Sequence, residues 1–150
     1  MTFSIQRLFV PLLILVPALA LAACGGGDIT PIDNTEAVKK GAALVKSNGC
    51  DGCHTSSTAS DGVLSGQDVT VTKSSISGPN LTPDTETGIG SWTDAQITAA
   101  IRAGVDEKGT ELCVSMPKFS DLTDDETASI LAYLKSIPAV KRALPESTCM

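Results

Sequence analysis

Cys50-Asp51-Gly52-Cys53-His54 constrains this chain more than any other stretch. Two thiols three residues apart, followed at once by an imidazole, read as a c-type haem attachment site. The chemistry accounts for the spacing. Two cysteine sulfurs add to the two vinyl groups on one edge of a porphyrin, and the next residue then lies under the ring, where His54 can ligate the iron. Thioether bonds do not dissociate, so the group is retained even by a small domain. The short Asp51 and the side-chain-free Gly52 let the backbone turn tightly against the ring.

Other uses of two close cysteines fit less well. A redox dithiol with this spacing normally stands near a βαβ pattern, and none is visible. A zinc site needs four ligands. Cys50, Cys53, His54 and Cys113 would supply them, but without the usual paired spacing. A disulfide between half-cystines three residues apart closes a strained ring.

The N-terminal residues set the expected compartment. Arg7 precedes an apolar run from Leu8 to Ala23, broken by Pro11 and Pro17, which reads as the basic and hydrophobic regions of a secretory signal. It is too short and too interrupted for a membrane span. Leu21-Ala22-Ala23-Cys24 resembles the lipobox of bacterial lipoproteins, which implies cleavage before Cys24 and a lipid on its sulfur. The alternative is an ordinary cleavage near Ala23. The expected organisation is a signal peptide over 1–23, a lipid-anchored tether over 24–34 and one domain over 35–150. The product is expected outside the cytoplasm, in the periplasm or on the outer face of a bacterial membrane. Loss of Arg7 would take the formal net charge from −6 to −7. That balance argues against nucleic acid, which wants clustered Lys and Arg, and suits a cationic protein partner.

An exported protein tolerates disulfides. With Cys24 given to lipid and Cys50 and Cys53 to haem, Cys113 and Cys149 remain. A bridge between them is expected; two free thiols are the alternative. Aromatic residues make up only 3% of the chain, so a buried porphyrin would supply the large apolar body that the side chains lack.

Asn34 or Thr35 can cap a helix from Glu36, with Val38, Ala42 and Val45 on one face, Gly41 in its middle and Gly49 at its end. The Ser/Thr/Gly-rich stretch from Thr55 to Pro79 is long for a structureless loop, and Val69 and Val71 alternate with threonine as in a short strand. Within Gly78-Pro79-Asn80-Leu81, the Pro79 carbonyl is expected to accept the Nδ1–H of His54 and so orient the ring; an ordinary turn is the alternative. Thr93 and Gln96 form a capping box, with Trp92 and Ile97 as its hydrophobic staple. The helix then runs to about Ala103 and carries an Ile97, Ala100, Ile101 stripe. Thr123 to Glu126 is a second capping box, opening a final helix that ends at Ser136-Ile137-Pro138.

Met116-Pro117 is the second chemical landmark. Met1 leaves with the signal and Met150 is the last residue, so Met116 is the one well-placed thioether. His54 is the only histidine, which excludes bis-histidine ligation. Met116 is therefore expected as the sixth ligand, the His/Met pairing of electron-transfer haems.

These parts together resemble a class I cytochrome c over about residues 35–140: a helix, Cys50-x-x-Cys53-His54, Gly78-Pro79-Asn80-Leu81, Met116-Pro117 and a C-terminal helix with Tyr133-Leu134. The resemblance implies an all-α fold in which the first and last helices cross around a covalently bound haem, with Gly41 against the face that carries Tyr133. It also implies that Pro79, Asn80, Leu81, Trp92, Ile97, Ile101 and Arg102 line or support the haem. The run from Gly78 to Asp84, followed by Gly88-Ile89-Gly90-Ser91-Trp92, is similar to cytochrome subunits of bacterial membrane-bound dehydrogenases. Those often carry several haems, whereas this chain has one haem motif.

The expected function is single-electron transfer by one haem, without catalysis, to and from a dehydrogenase or a respiratory complex or oxidase, with the domain held at a membrane through Cys24. The alternative is a haem enzyme or gas sensor in which Met116 is labile. No second histidine is present as a distal acid–base group, which weighs against that alternative.

Overall fold

The computed structural model describes residues 34–56, 62–71 and 74–147, all within one compact unit, Pro31–Met150. The signal peptide, the lipid site at Cys24, nearly all of the tether, and Cys149 lie outside the described residues. Among the described residues, four helices and one hairpin follow in the order α1 (Asn34–Ser47), α2 (Cys50–His54), β1 (Gln67–Val71), β2 (Ser74–Gly78), α3 (Asp94–Arg102) and α4 (Asp124–Ser136). No helix among the described residues is long and apolar enough to cross a membrane.

Local chemistry sets the helix ends. α1 starts two residues before Glu36 and is closed by Gly49, whose φ of 72° turns the chain directly into α2. Thr93 and Thr123 head α3 and α4 with complete capping boxes. In each, the threonine hydroxyl accepts from the backbone N–H of the third helical residue, and that residue's side chain accepts from the threonine N–H. α4 stops at Ile137, before Pro138, where the missing N–H cannot continue the ladder.

α1 packs chiefly on α4. The crossing is close because Gly41 has no side chain: a Cβ there would lie 2.0 Å from the Ser129 carbonyl oxygen and 2.8 Å from Tyr133 Cβ. The resemblance anticipated this contact. Ion pairs tie the helices at the surface, Lys40 to Asp125 between α1 and α4, and Lys135 to Asp94 between α4 and α3. Buried Val45, Leu64, Ile89, Ile97, Ile130, Leu131 and Leu134 form the core, with Trp92, Ile101, Leu81 and Cys50 packed against it.

The long Ser/Thr/Gly-rich stretch is not structureless. Val69 and Val71 belong to β1, which pairs antiparallel with β2 in the register Gln67 to Gly78 and Val69 to Ile76. Beyond α4, the extended segment 138–147 returns across the loops that precede α3. Its Val140 N–H donates to Thr82 Oγ1 (3.1 Å), and its Arg142 N–H to Thr87 Oγ1 (2.9 Å).

Candidate metal centre

Cys50, Cys53 and His54 occupy positions i, i+3 and i+4 of one helical turn, so all three lie on one face of α2. Cys50 is half-buried against the core, Cys53 is exposed, and both are free thiols. Burial pushes the Cys50 thiol above its ordinary pKa, and its own backbone hydrogen bond only partly opposes this. A redox dithiol needs the opposite direction, a stabilised thiolate.

His54 is 5% exposed. Its Nδ1 lies 2.8 Å from the Pro79 carbonyl oxygen. A carbonyl only accepts, so Nδ1 carries the proton and Nε2 keeps its lone pair. Burial lowers the imidazole pKa and the Pro79 carbonyl partly offsets that. The result is a neutral ring in a fixed tautomer, the form that binds metals.

The backbone behind the motif is packed without room for adjustment. At Gly78 a Cβ would fall 1.8 Å from the Cys53 carbonyl oxygen, so β2 ends directly against the Cys53–His54 peptide. The His54 carbonyl accepts from the Gly66 N–H at 2.7 Å. Next to it, Leu64 N–H donates to Thr55 Oγ1 (2.9 Å), and the Leu64 carbonyl accepts from Leu81 N–H (2.9 Å). Leu64 is fully buried at a φ of 61°. A non-glycine residue held there costs on the order of 1–3 kcal/mol, and its two flanking hydrogen bonds keep it in place.

The other expected residues divide. Leu81, Trp92, Ile97 and Ile101 share the apolar core with Cys50. Asn80 is buried at 3%, yet its amide is engaged elsewhere: Oδ1 accepts from Thr82 N–H and Oγ1–H, and Nδ2 donates to the Val140 carbonyl at 2.7 Å. Its side chain thus fastens the loop after Pro79. The Arg102 guanidinium donates to Asp124 Oδ1 at 2.6 Å, linking the end of α3 to the start of α4. Met116 is half-buried in a turn between those helices, closed by its N–H donating to the Cys113 carbonyl at 2.8 Å. Cys113 is disulfide-bonded, and its partner lies outside the described residues because Cys50 and Cys53 are free. That removes the fourth ligand of the zinc alternative. No group of three or more His, Cys, Asp or Glu side chains gathers as a metal site among the described residues. Sequence reasoning missed the contribution of Thr82, Leu64 and Gly66, because Leu64 and Gly66 act through backbone groups and Thr82 through its hydroxyl, each on residues away from it in the chain.

Two available thiols, one imidazole with a free Nε2, and a glycine-backed turn fit a porphyrin fixed by its edge and ligated from one face. The class so defined is a small helical haem-attachment domain. A cytochrome c family model matches residues 38–138, and the chain belongs to the cytochrome c family. With that family come a covalently bound haem and a part in electron transfer. Relatives include the cytochrome c subunit of a quinone alcohol dehydrogenase from Gluconacetobacter polyoxogenes, 31% identical over 106 residues, which are 69% of this chain and 22% of the relative. The fructose dehydrogenase cytochrome subunit of Gluconobacter japonicus is 28% identical over 116 residues, 72% of this chain and 24% of the relative. A dihaem cytochrome c-type protein of Cereibacter sphaeroides is 30% identical over 115 residues, 73% of this chain and 39% of the relative. The chain spans about a quarter of the length of the alcohol and fructose dehydrogenase subunits it matches.

Proposed function

We propose that this chain is a membrane-tethered, single-haem electron carrier. Cys50 and Cys53 hold the ring through thioethers, His54 Nε2 and the Met116 thioether ligate the iron, and Cys24 bears the lipid that keeps the domain at the outer face of a bacterial membrane. When bound, the haem supplies a one-electron ferrous/ferric couple. The chain's own residues do the rest. Pro79 fixes the tautomer of His54, the apolar wall of Leu81, Trp92, Ile97 and Ile101 would exclude water, and Met116 would supply the second protein ligand to the iron. With both positions taken, no site is left for a substrate on the metal, so the chain is a carrier and not an enzyme. A thioether ligand raises the potential relative to a second imidazole.

The observation that carries this reading is the 2.8 Å contact from His54 Nδ1 to the Pro79 carbonyl, which leaves Nε2 as the one free nitrogen of the only histidine. Two of the named relatives are subunits of an alcohol and a fructose dehydrogenase, and this supports a dehydrogenase or the respiratory chain behind it as redox partner. Cys149 is the proposed second half of the Cys113 disulfide.

Expression in a host that matures c-type cytochromes tests the proposal. One haem per chain is expected, resistant to acid–acetone extraction, with a low-spin ferrous spectrum that carbon monoxide leaves unchanged at neutral pH. Rapid carbon monoxide binding would overturn the carrier reading. Full haem content in Cys50→Ala or Cys53→Ala would overturn the attachment scheme.

A further inference from the structure

Segment 138–147 carries no haem motif and no regular secondary structure, yet its contacts converge on the residues around one carbonyl. On one side of Pro79, the Ser147 hydroxyl accepts from the Ser77 N–H at 2.9 Å and donates to the Ser77 carbonyl at 3.1 Å, closing the free edge of β2. On the other side, the Val140 carbonyl accepts from Asn80 Nδ2 at 2.7 Å, and Val140 N–H donates to Thr82 Oγ1 at 3.1 Å. A third contact reaches the motif from behind. The Leu144 side chain covers Gly66, where a Cβ would meet Leu144 Cδ1 at 2.2 Å, and Gly66 N–H holds the His54 carbonyl.

We infer that segment 138–147 is a positioning strap for His54: by fixing Ser77 and Asn80 it immobilises the Pro79 carbonyl between them, and through that carbonyl the Nδ1–H of the imidazole. The inference rests on the proposed ligation of iron by His54. Ser147, Val140 and Leu144 are positioning residues; none is proposed to touch the haem. Polar groups buried around the strap leave little slack. Asn80 is 3% exposed and Thr82 is fully buried, so each of their hydrogen bonds is costly to leave unmade.

The consequence separates positioning from plain stabilisation. A hydrogen bond from Nδ1–H to a carbonyl raises the basicity of a ligating histidine. A more basic ligand favours the ferric ion, so loosening the carbonyl raises the reduction potential. Simple loosening of the fold admits water to the site and lowers it.

The test uses the haem-loaded, full-length Ser147→Ala protein and, beside it, a Cys113→Ser chain ending at Ala139. The latter is compared with full-length Cys113→Ser/Cys149→Ser, which removes any effect of the disulfide. The readouts are the exchange rate of the hyperfine-shifted Nδ1 proton of His54 and the reduction potential. Exchange at least about fivefold faster is expected in Ser147→Ala, the factor that the loss of even one of its two hydrogen bonds to Ser77 supports. It should be faster still in the shortened chain, with the potential raised in both. Unchanged exchange in Ser147→Ala overturns the inference whether or not the shortened chain folds, as does a potential that only falls. Absence of any histidine ring among the hyperfine-shifted signals of the unaltered protein would instead overturn His54 as the ligand.

Discussion

The Gly41 α-carbon faces the Ser129 carbonyl so closely that a single added carbon would sit 2.0 Å from its oxygen. Helix propensity alone favours alanine over glycine by about 1 kcal/mol, so an unpacked Gly41 would gain stability on substitution. Here the obstacle is backbone, which cannot rotate aside. Gly41→Ala is expected to push α1 off α4 and destabilise the holoprotein by roughly 1–3 kcal/mol net, the range for overpacked contacts. Denaturant unfolding of the two proteins measures this; equal or greater stability of the alanine variant would refute the close crossing.

The two capping boxes differ in one respect that pH exposes. Glu126 closes the box of α4 and Gln96 that of α3. Hydrogen bonds from the Thr123 backbone N–H, then from its hydroxyl, hold the Glu126 carboxyl below its ordinary pKa. A depressed folded-state pKa contributes stability that is present above the unfolded-state value and lost as pH falls through the folded one. Acidification should therefore lower the exchange protection of the first-turn amides of α4 and leave those of α3 unchanged. Glu126→Gln should abolish the difference while keeping the cap. Equal loss at both helices would show that the box does not titrate.

If Met116 closes the iron, Met116→Ala should keep the haem, because the thioethers do not depend on it, but lower the potential and admit carbon monoxide. Redox titration and a ferrous carbon monoxide spectrum report the two effects separately. An unchanged midpoint would assign the sixth position to another residue.

Cys113 is bridged and stands three residues before Met116, in the turn that Met116 N–H closes on the Cys113 carbonyl. Peptide mapping without reduction should recover Cys113 joined to Cys149; recovery joined to Cys24 would refute both that pairing and lipidation of Cys24. Cys113→Ser/Cys149→Ser should lose about 2–4 kcal/mol, as removal of a bridge over a loop of this size does.

Local signals were the legible ones. Thr93 and Gln96, and Thr123 and Glu126, are three residues apart, and their side chains decide the helix starts whatever the rest of the chain does. The His54–Pro79 contact was legible for a different reason, since a ligating histidine needs an acceptor for its second nitrogen. Asn80 is expected from its neighbours in sequence to line or support the haem; that its amide serves Thr82 and Val140 is visible only in the fold. The strap escaped notice altogether. Its bonds join backbone groups to serine and threonine hydroxyls across 55 to 70 residues, and such pairings leave no periodicity for a sequence to display.

Those same separations bear on the order in which the molecule assembles. The haem motif precedes Pro79 and becomes available early as the chain emerges, but the clasp on Pro79 needs Val140 and Ser147, which follow it by 61 and 68 residues. Contacts this distant carry a large loop-closure cost and form late. A newly made chain thus presents Cys50, Cys53 and His54 on a turn whose histidine is not yet locked, and fixes that side chain only when segment 138–147 settles across it.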